Sequence, residues 1–341
     1  MRRKKHERRQ SFQRRRKSCI SLAMSSDSPR PASAPTPAPE MQGAGPIHVF
    51  LMISIGAIYP LLFTLNNYAV GAGTPAVAFT FWQTFGAAVI LLAIGVMRRE
   101  LPRLEWPHLR AYVILGATGI AAPVALITWL STKLPVGVMS IIVVMSPPIT
   151  YALALGFGLE KVKPLSLIGI TCGLAGILLL IIPELDLPES GMFWWLLLAL
   201  LAPASFALTN NLAALIRPPD SPPVSLSGGL VSAAALMLLP AMFLFGHEYV
   251  FPGPDTWADV AILGAAAITC LMYITFLVIV KVAGPVFFSQ FNYVIVVAGL
   301  IWGILLKGES YDLNVWLSAA LMLGGVAFLT WSARRTANAN A

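Results

Sequence analysis

Charge is scarce in this chain. Asp, Glu, Lys and Arg fill only 11% of its 341 positions, against roughly 25% in a soluble domain, so most of the chain is predicted to sit where charge is costly. Ten Lys and Arg crowd into residues 1–17, whereas long stretches from Ile47 onward hold none. The formal net charge of +8 is thus mainly a tail property, and it does not point to nucleic acid as a partner. Cysteine is scarce too. Cys19, Cys172 and Cys270 show no C-x-x-C spacing, which argues for free thiols and against a metal site. The four histidines (His6, His48, His108 and His247) lie in the tail or near the ends of apolar runs. An integral membrane enzyme acting on lipids would need clustered His, Asp or Ser/His groups at one depth, so no enzyme and no cofactor are predicted. No G-x-x-x-x-G-K-[S/T] phosphate loop occurs, which excludes ATP-driven pumping by this chain alone.

What is abundant is apolar sequence, at 57% of residues. A run of about 20 such residues crosses the hydrocarbon core. Ten runs qualify: 47–69, 74–97, 108–131, 135–158, 164–182, 192–215, 223–246, 258–281, 284–306 and 313–332. The expected fold is therefore an all-α integral membrane protein of ten transmembrane helices. Residues 1–46 read as a disordered, basic and Pro-rich tail, and 333–341 as a second short tail. The stretch from Cys19 to Met24 is too short for the apolar core of a signal peptide, while the Arg- and Ser-rich composition also resembles a transit peptide. Met24 and Met41 are alternative starts.

Orientation follows from Lys and Arg in the connections. With the N-terminus inside, 21 of them fall on the cytoplasmic side and only Lys133 and Lys307 outside. The predicted outside loops are acidic instead, with Glu184, Asp186, Glu189, Glu248, Asp255 and Asp259. Both termini are then cytoplasmic, which demands an even number of helices.

The chain also repeats itself. Ile114-Leu115-Gly116-Ala117 recurs as Ile262-Leu263-Gly264-Ala265, Lys133 as Lys281, and Pro135-Val136 as Pro285-Val286. Gly158-Leu159-Glu160 matches Lys307-Gly308-Glu309, Gly176 matches Gly325, Asn66-Asn67 matches Asn210-Asn211, and Pro60 matches Pro203. These matches keep their order, with offsets between 143 and 150. Repeats over 47–182 and 192–332 each hold five predicted helices. An odd number forces the second repeat into the membrane upside down, and inverted repeats point to alternating access around a midplane site.

With Met145-Ser146-Pro147-Pro148, Leu159-Glu160-Lys161 and Gly169-x-x-x-Gly173-x-x-Gly176 in the first half, and Gly308-Glu309-Ser310 and Gly324-Gly325 in the second, the chain resembles the EamA family of the drug/metabolite transporter superfamily. The resemblance covers about 47–332. It implies two EamA-like five-helix repeats and export or exchange of small metabolites, amino-acid-like solutes or drugs across a bacterial-type cytoplasmic (inner) membrane. The chain departs from the family in carrying Tyr59-Pro60 where Trp-Gly is frequent, and in lacking a Pro in the ninth run.

A midplane site needs polar or aromatic groups facing the bundle interior, because in lipid such groups are costly unless paired or wetted. Asn66, Asn67, Asn210 and Asn211 offer donors and acceptors suited to a neutral or zwitterionic solute, or else act as helix caps and interhelical glue. Gln290 and Tyr293 are three apart and share a helix face. Met145 and Tyr151 lie on the fourth run, where Met suits either adaptable binding or plain packing. Trp82 and Gln83 fall mid-run and each wants a polar partner; Trp129 and Tyr273 are further candidates. Pro60, Pro147, Pro148 and Pro203 remove backbone bonds and make kinks, either for gating or fixed by packing. Lys133 and Lys281 either snorkel to headgroups or turn inward to hold an organic anion such as a sugar phosphate. The Gly-x-x-x-Gly of the fifth run is expected to pack that helix inside its own half, with homodimerisation as the other reading.

The sequence as a whole points to a secondary transporter, monomeric or homodimeric, with its partners limited to a small solute and the lipid bilayer. Its site lies between spans 1–4 and 6–9, with spans 5 and 10 as scaffold. The rival is a non-transporting membrane sensor or assembly subunit. Replacing Gln290 by Leu should impair transport at unchanged protein level; unaltered uptake and efflux would sink its assigned role.

Overall fold

The computed structural model describes residues 46–158, 162, 164–185, 192–216, 218, 221–244, 249–253, 256–283 and 291–340. The N-terminal tail, Glu160 and Gln290 lie outside these residues, and the side chains of Lys281 and Tyr293 lie outside those described. All described regular structure is helical. The helices are α1 (Pro46–Ile58), α2 (Leu61–Gly71), α3 (Ala76–Arg98), α4 (Trp106–Gly116), α5 (Ala122–Leu130), α6 (Val136–Val143), α7 (Ser146–Gly156), α8 (Pro164–Leu185), α9 (Met192–Ala199), α10 (Leu201–Ile216), α11 (Pro223–Leu244), α12 (Thr256–Ala283), α13 (Phe291–Lys307) and α14 (Leu313–Asn340). A π-helical turn, Ala117–Ala121, joins α4 to α5.

Among the described residues, seven stretches are long and apolar enough to cross a membrane: Pro46–Gly71, Ala76–Arg98, Trp106–Leu130, Val136–Gly156, Met192–Ala213, Val224–Leu244 and Thr256–Thr275. Three shorter apolar helices, Leu167–Leu180, Val294–Lys307 and Leu313–Phe328, fall in the remaining three runs.

Several of these stretches are broken where proline dictates. Pro60 has no N–H to donate, so α1 stops at Ile58 and α2 restarts at Leu61, with Pro60 in helical dihedrals at its N-cap. Met145 caps α7, whose first turn holds Pro147 and Pro148. Helix α9 ends at Ala199, four residues before Pro203. A break inside an apolar layer exposes backbone groups that water cannot reach. At the Pro60 break, the Ala57 carbonyl accepts the Trp302 indole N–H from α13 at 2.7 Å.

Packing interleaves the two sequence halves. Helix α3 lies on α11 and α12, α4 on α11, α7 on α10, α1 and α6 on α13, and α8 on α14. The expectation that the Gly-x-x-x-Gly helix packs inside its own half is corrected here. Gly325 of α14 lies against the Gly169 and Gly173 backbone, Gly176 turns to Met322, and Ser318 Oγ donates to the Gly176 carbonyl at 2.7 Å, while the open side of Gly173 faces Pro148 and Met145. Small residues on both surfaces let the backbones approach, and the matching small surface belongs to the other half. Three buried clusters form the core, centred on α6 with α13, on α3 with α11 and α12, and on α1 with Phe291 and Ile295. Tyr59, at the helix break, packs against all three.

A Cβ at Gly325 would stand 2.6 Å from the Gly169 carbonyl oxygen, whereas a Cβ at Gly324 meets nothing within 4 Å. Gly325→Ala should therefore lower thermal stability in detergent by an overpacking cost of about 1–3 kcal/mol, while Gly324→Ala leaves it unchanged or raised. Equal melting temperatures for the two variants would contradict this packing.

Candidate functional site

The break at Pro60, the π-turn and the Gln83–Thr84 turn of α3 surround a cavity of about 90 Å³. Tyr59 and Asn66 border it from the first stretch, Gln83 and Thr84 from α3, and Gly119 from the π-turn. Phe206 of α10 and Thr269, Met272 and Tyr273 of α12 complete it from the second half. Among the described residues, neither α8 nor α14 contributes to the lining. Among the described residues, no Asp, Glu, Lys, Arg or His lines the cavity.

The wall is ordered by polar contacts. Gln83 Nε2 donates to Thr269 Oγ1 at 2.9 Å, tying α3 to α12. Its Oε1, and Oδ1 of Asn66, are buried and have no hydrogen-bond partner among the described residues. The π-turn is held by Ser205 Oγ donating to the Thr118 carbonyl at 2.6 Å and Thr209 Oγ1 donating to Thr118 Oγ1 at 2.7 Å. The widened turn brings Gly119 to the cavity wall, a placement common for π-bulges at functional sites. Tyr59 meets Phe63 and Phe291 edge to face, with ring centroids 6.4 and 5.5 Å apart.

Of the sequence candidates, Asn66, Gln83 and Tyr273 therefore come together at one cavity. The other candidates whose side chains are described sit elsewhere. Trp82 donates its indole N–H to the Tyr249 carbonyl at 2.8 Å and leans on Phe251. Tyr249 is held in turn by Asp259, whose carboxylate also accepts the Gly253 N–H. Met145 is packed in the core, and Tyr151 is half-buried on α7. Trp129 is 41% exposed and meets Trp195 edge to face. Lys133 is exposed with its ammonium 5.7 Å above the Trp195 ring. Tyr59, Thr269 and Phe206 were not singled out as site residues. The sequence signals available were Tyr59's place beside Pro60 and Phe206's place one turn after Pro203.

Two polar clusters join the halves away from the cavity. At one end, Asn67 Nδ2 donates to the Ser131 carbonyl at 2.6 Å, and Lys307 Nζ donates to Asn67 Oδ1. Beside it, Gly308 takes a positive φ of 65°, turning the chain after α13 so that Glu309 reaches the N-terminus of α6. The Glu309 carboxylate accepts the Val136 and Gly137 N–H groups at 2.8 and 3.3 Å. Tyr311 accepts the Gly137 N–H at 3.1 Å and donates to Glu309. A carboxylate at a helix N-terminus is stabilised by the free N–H groups and the helix dipole. Toward the other end of the same stretch, Asn211 Nδ2 donates to the Thr150 carbonyl at 3.1 Å and exposed Asn210 to Thr150 Oγ1 at 3.2 Å. Burial raises the Tyr311 phenol above its ordinary value, the Glu309 hydrogen bond and charge raise it further, and the Gly137 N–H pulls the other way.

The model of the EamA-like transporter family matches residues 46–182 and again residues 193–331. No curated protein matches the chain. Among solved structures, 28 chains match. One of them, described only as the crystal structure of a protein, has a TM-score of 0.57 at 18% identity, over 85% of this chain and 99% of its own. At that identity the likeness shows a shared fold.

Removing the Glu309 cap should cost about 1 kcal/mol or somewhat more, so Glu309→Ala lowers the melting temperature; no shift would contradict the docking. Because the folded-state value of Tyr311 is raised, its contribution is complete below about pH 10 and is lost as pH climbs through that raised value. Tyr311→Phe should therefore lose less stability than the parent between about pH 9 and 11, read by thermal unfolding across that series.

Proposed function

Given that the chain belongs to the EamA-like transporter family, we propose that it is a secondary transporter that exports or exchanges small metabolites, amino-acid-like solutes or drugs by alternating access. In this reading ten spans cross the cytoplasmic membrane as two inverted repeats, with both termini in the cytoplasm. The excess of Lys and Arg in the predicted cytoplasmic connections supports that orientation. It puts the Lys307–Asn67–Ser131 cluster and the Glu309 cap outside, and the Asn210–Asn211–Thr150 contacts toward the cytoplasm.

The observation that carries the proposal is a central cavity lined from both halves and flanked by cross-half polar contacts on either side. Such contacts can open at one end while those at the other hold, which is what alternating access requires. The absence of a charged lining group among the described residues favours an uncharged or zwitterionic solute over an organic anion. Lys133, over Trp195, is outside that lining.

A resistance screen with the gene overexpressed and deleted should yield solutes whose tolerance changes. Purified protein in proteoliposomes should then speed the flux of those solutes. Gln83→Leu at equal reconstituted amount should lose most of that flux. Absence of flux with every solute from the screen would favour the sensor reading instead.

A further inference from the structure

The cavity wall carries an imbalance that the transport reading alone does not explain. Asn66 and Gln83 are 2% and 4% exposed, and each keeps one amide oxygen without a donor among the described residues. Buried acceptors in that state are costly, and most native structures avoid them. Gln83 cannot relax easily, because its nitrogen is committed to Thr269 on another helix. Two unmet acceptors on side chains that border the cavity call for donors that a guest brings.

The rest of the wall defines the guest further. Tyr59, Phe63, Phe206 and Tyr273 supply rings, and Met272 adds a soft contact that suits ring edges. Among the described residues, no charged side chain is present to pair with an ion. An unpaired ion moved from water into such a wall loses its hydration without repayment. Anions fare worst, since the two free oxygens would repel them. A quaternary ammonium has no N–H to give and leaves both oxygens unmet.

Resting on the transporter reading of this cavity, we propose that its solute is an uncharged aromatic compound whose polar edge carries N–H donors, as in an aromatic primary amide, bound by Asn66 Oδ1 and Gln83 Oε1. A primary amide carries two N–H donors on one nitrogen.

Four ring-matched probes separate the possibilities on the full chain in detergent, with binding followed by intrinsic tryptophan fluorescence. Benzamide is neutral with donors, acetophenone is neutral without them, benzoate is an anion, and benzyltrimethylammonium is a cation without N–H. Benzamide should bind about tenfold more tightly than any of the other three, the size expected of hydrogen bonds that rescue buried acceptors. In the Asn66→Leu and Gln83→Leu variants, each checked for a cooperative thermal transition, benzamide should fall to the affinity of acetophenone. Equal or tighter binding of acetophenone, benzoate or the cation overturns the proposal, as does binding of none of the four. The four-probe comparison on the unmodified protein decides the matter even where a variant does not fold. Flux in proteoliposomes separates this claim from the reading beneath it. Benzamide that binds but is not carried leaves the solute class standing and sinks transport, whereas carriage of benzoate in preference to benzamide does the reverse.

Discussion

In an apolar layer, a backbone group without a partner has no water to turn to. Much of this structure follows from that constraint. It favours helices throughout, and it makes each helix break a place where a second segment must supply a hydrogen bond. Where Pro60 interrupts the first stretch, Trp302 supplies it to the Ala57 carbonyl. Where α6 begins after Pro135, Glu309 takes up the Val136 and Gly137 N–H groups. Where the π-turn widens the third stretch, Ser205 meets the Thr118 carbonyl. In each case the partner comes from the other half of the chain, so the breaks tie the halves together.

The same economy of partners separates the two ends of the bundle. The Asn67 cluster includes a lysine and stands beside a carboxylate on a helix N-terminus. The Asn210 and Asn211 contacts to Thr150 involve only amides, a hydroxyl and a carbonyl. Matching asparagine pairs thus have unlike partners, and the first end is the one whose contacts involve charge. The α8–α14 pair, joined through glycine and serine, contributes no described residue to the cavity wall.

Much of the local order was legible from residues alone. Apolar run length marked the helices, proline marked some of the breaks, and the need of a buried amide or indole for a partner marked Gln83 and Trp82, which find Thr269 and the Tyr249 carbonyl. Asn66, Gln83 and Tyr273 stand out because polarity within an apolar run is costly, and they do border the cavity. Tyr59 and Phe206 do not stand out, because aromatic residues in a membrane helix are ordinary and only their position in space distinguishes them. Asn66 and Asn67 looked alike in sequence, yet one borders the cavity and the other faces Ser131 and Lys307. Neighbours on a helix differ by about 100° in direction, and which direction is inward depends on helices that lie far away along the chain.

By itself, the sequence determined that the chain is a helical membrane protein with an internal repeat, because run length, scarce charge and ordered repeats are properties of the chain as written. It also marked the breaks at Pro60 and Pro147, since proline lacks its N–H in any surroundings, although Pro240 lies inside the continuous α11. Only the tertiary structure decided which carbonyl Trp302 would meet, that Glu309 would close the start of α6, that the glycines of α8 would pair with Gly325, and that two amide oxygens would be left unmet beside a cavity. Those outcomes depend on contacts between segments tens to hundreds of residues apart. Residue types state what such segments need, and the packing of the bundle states who supplies it.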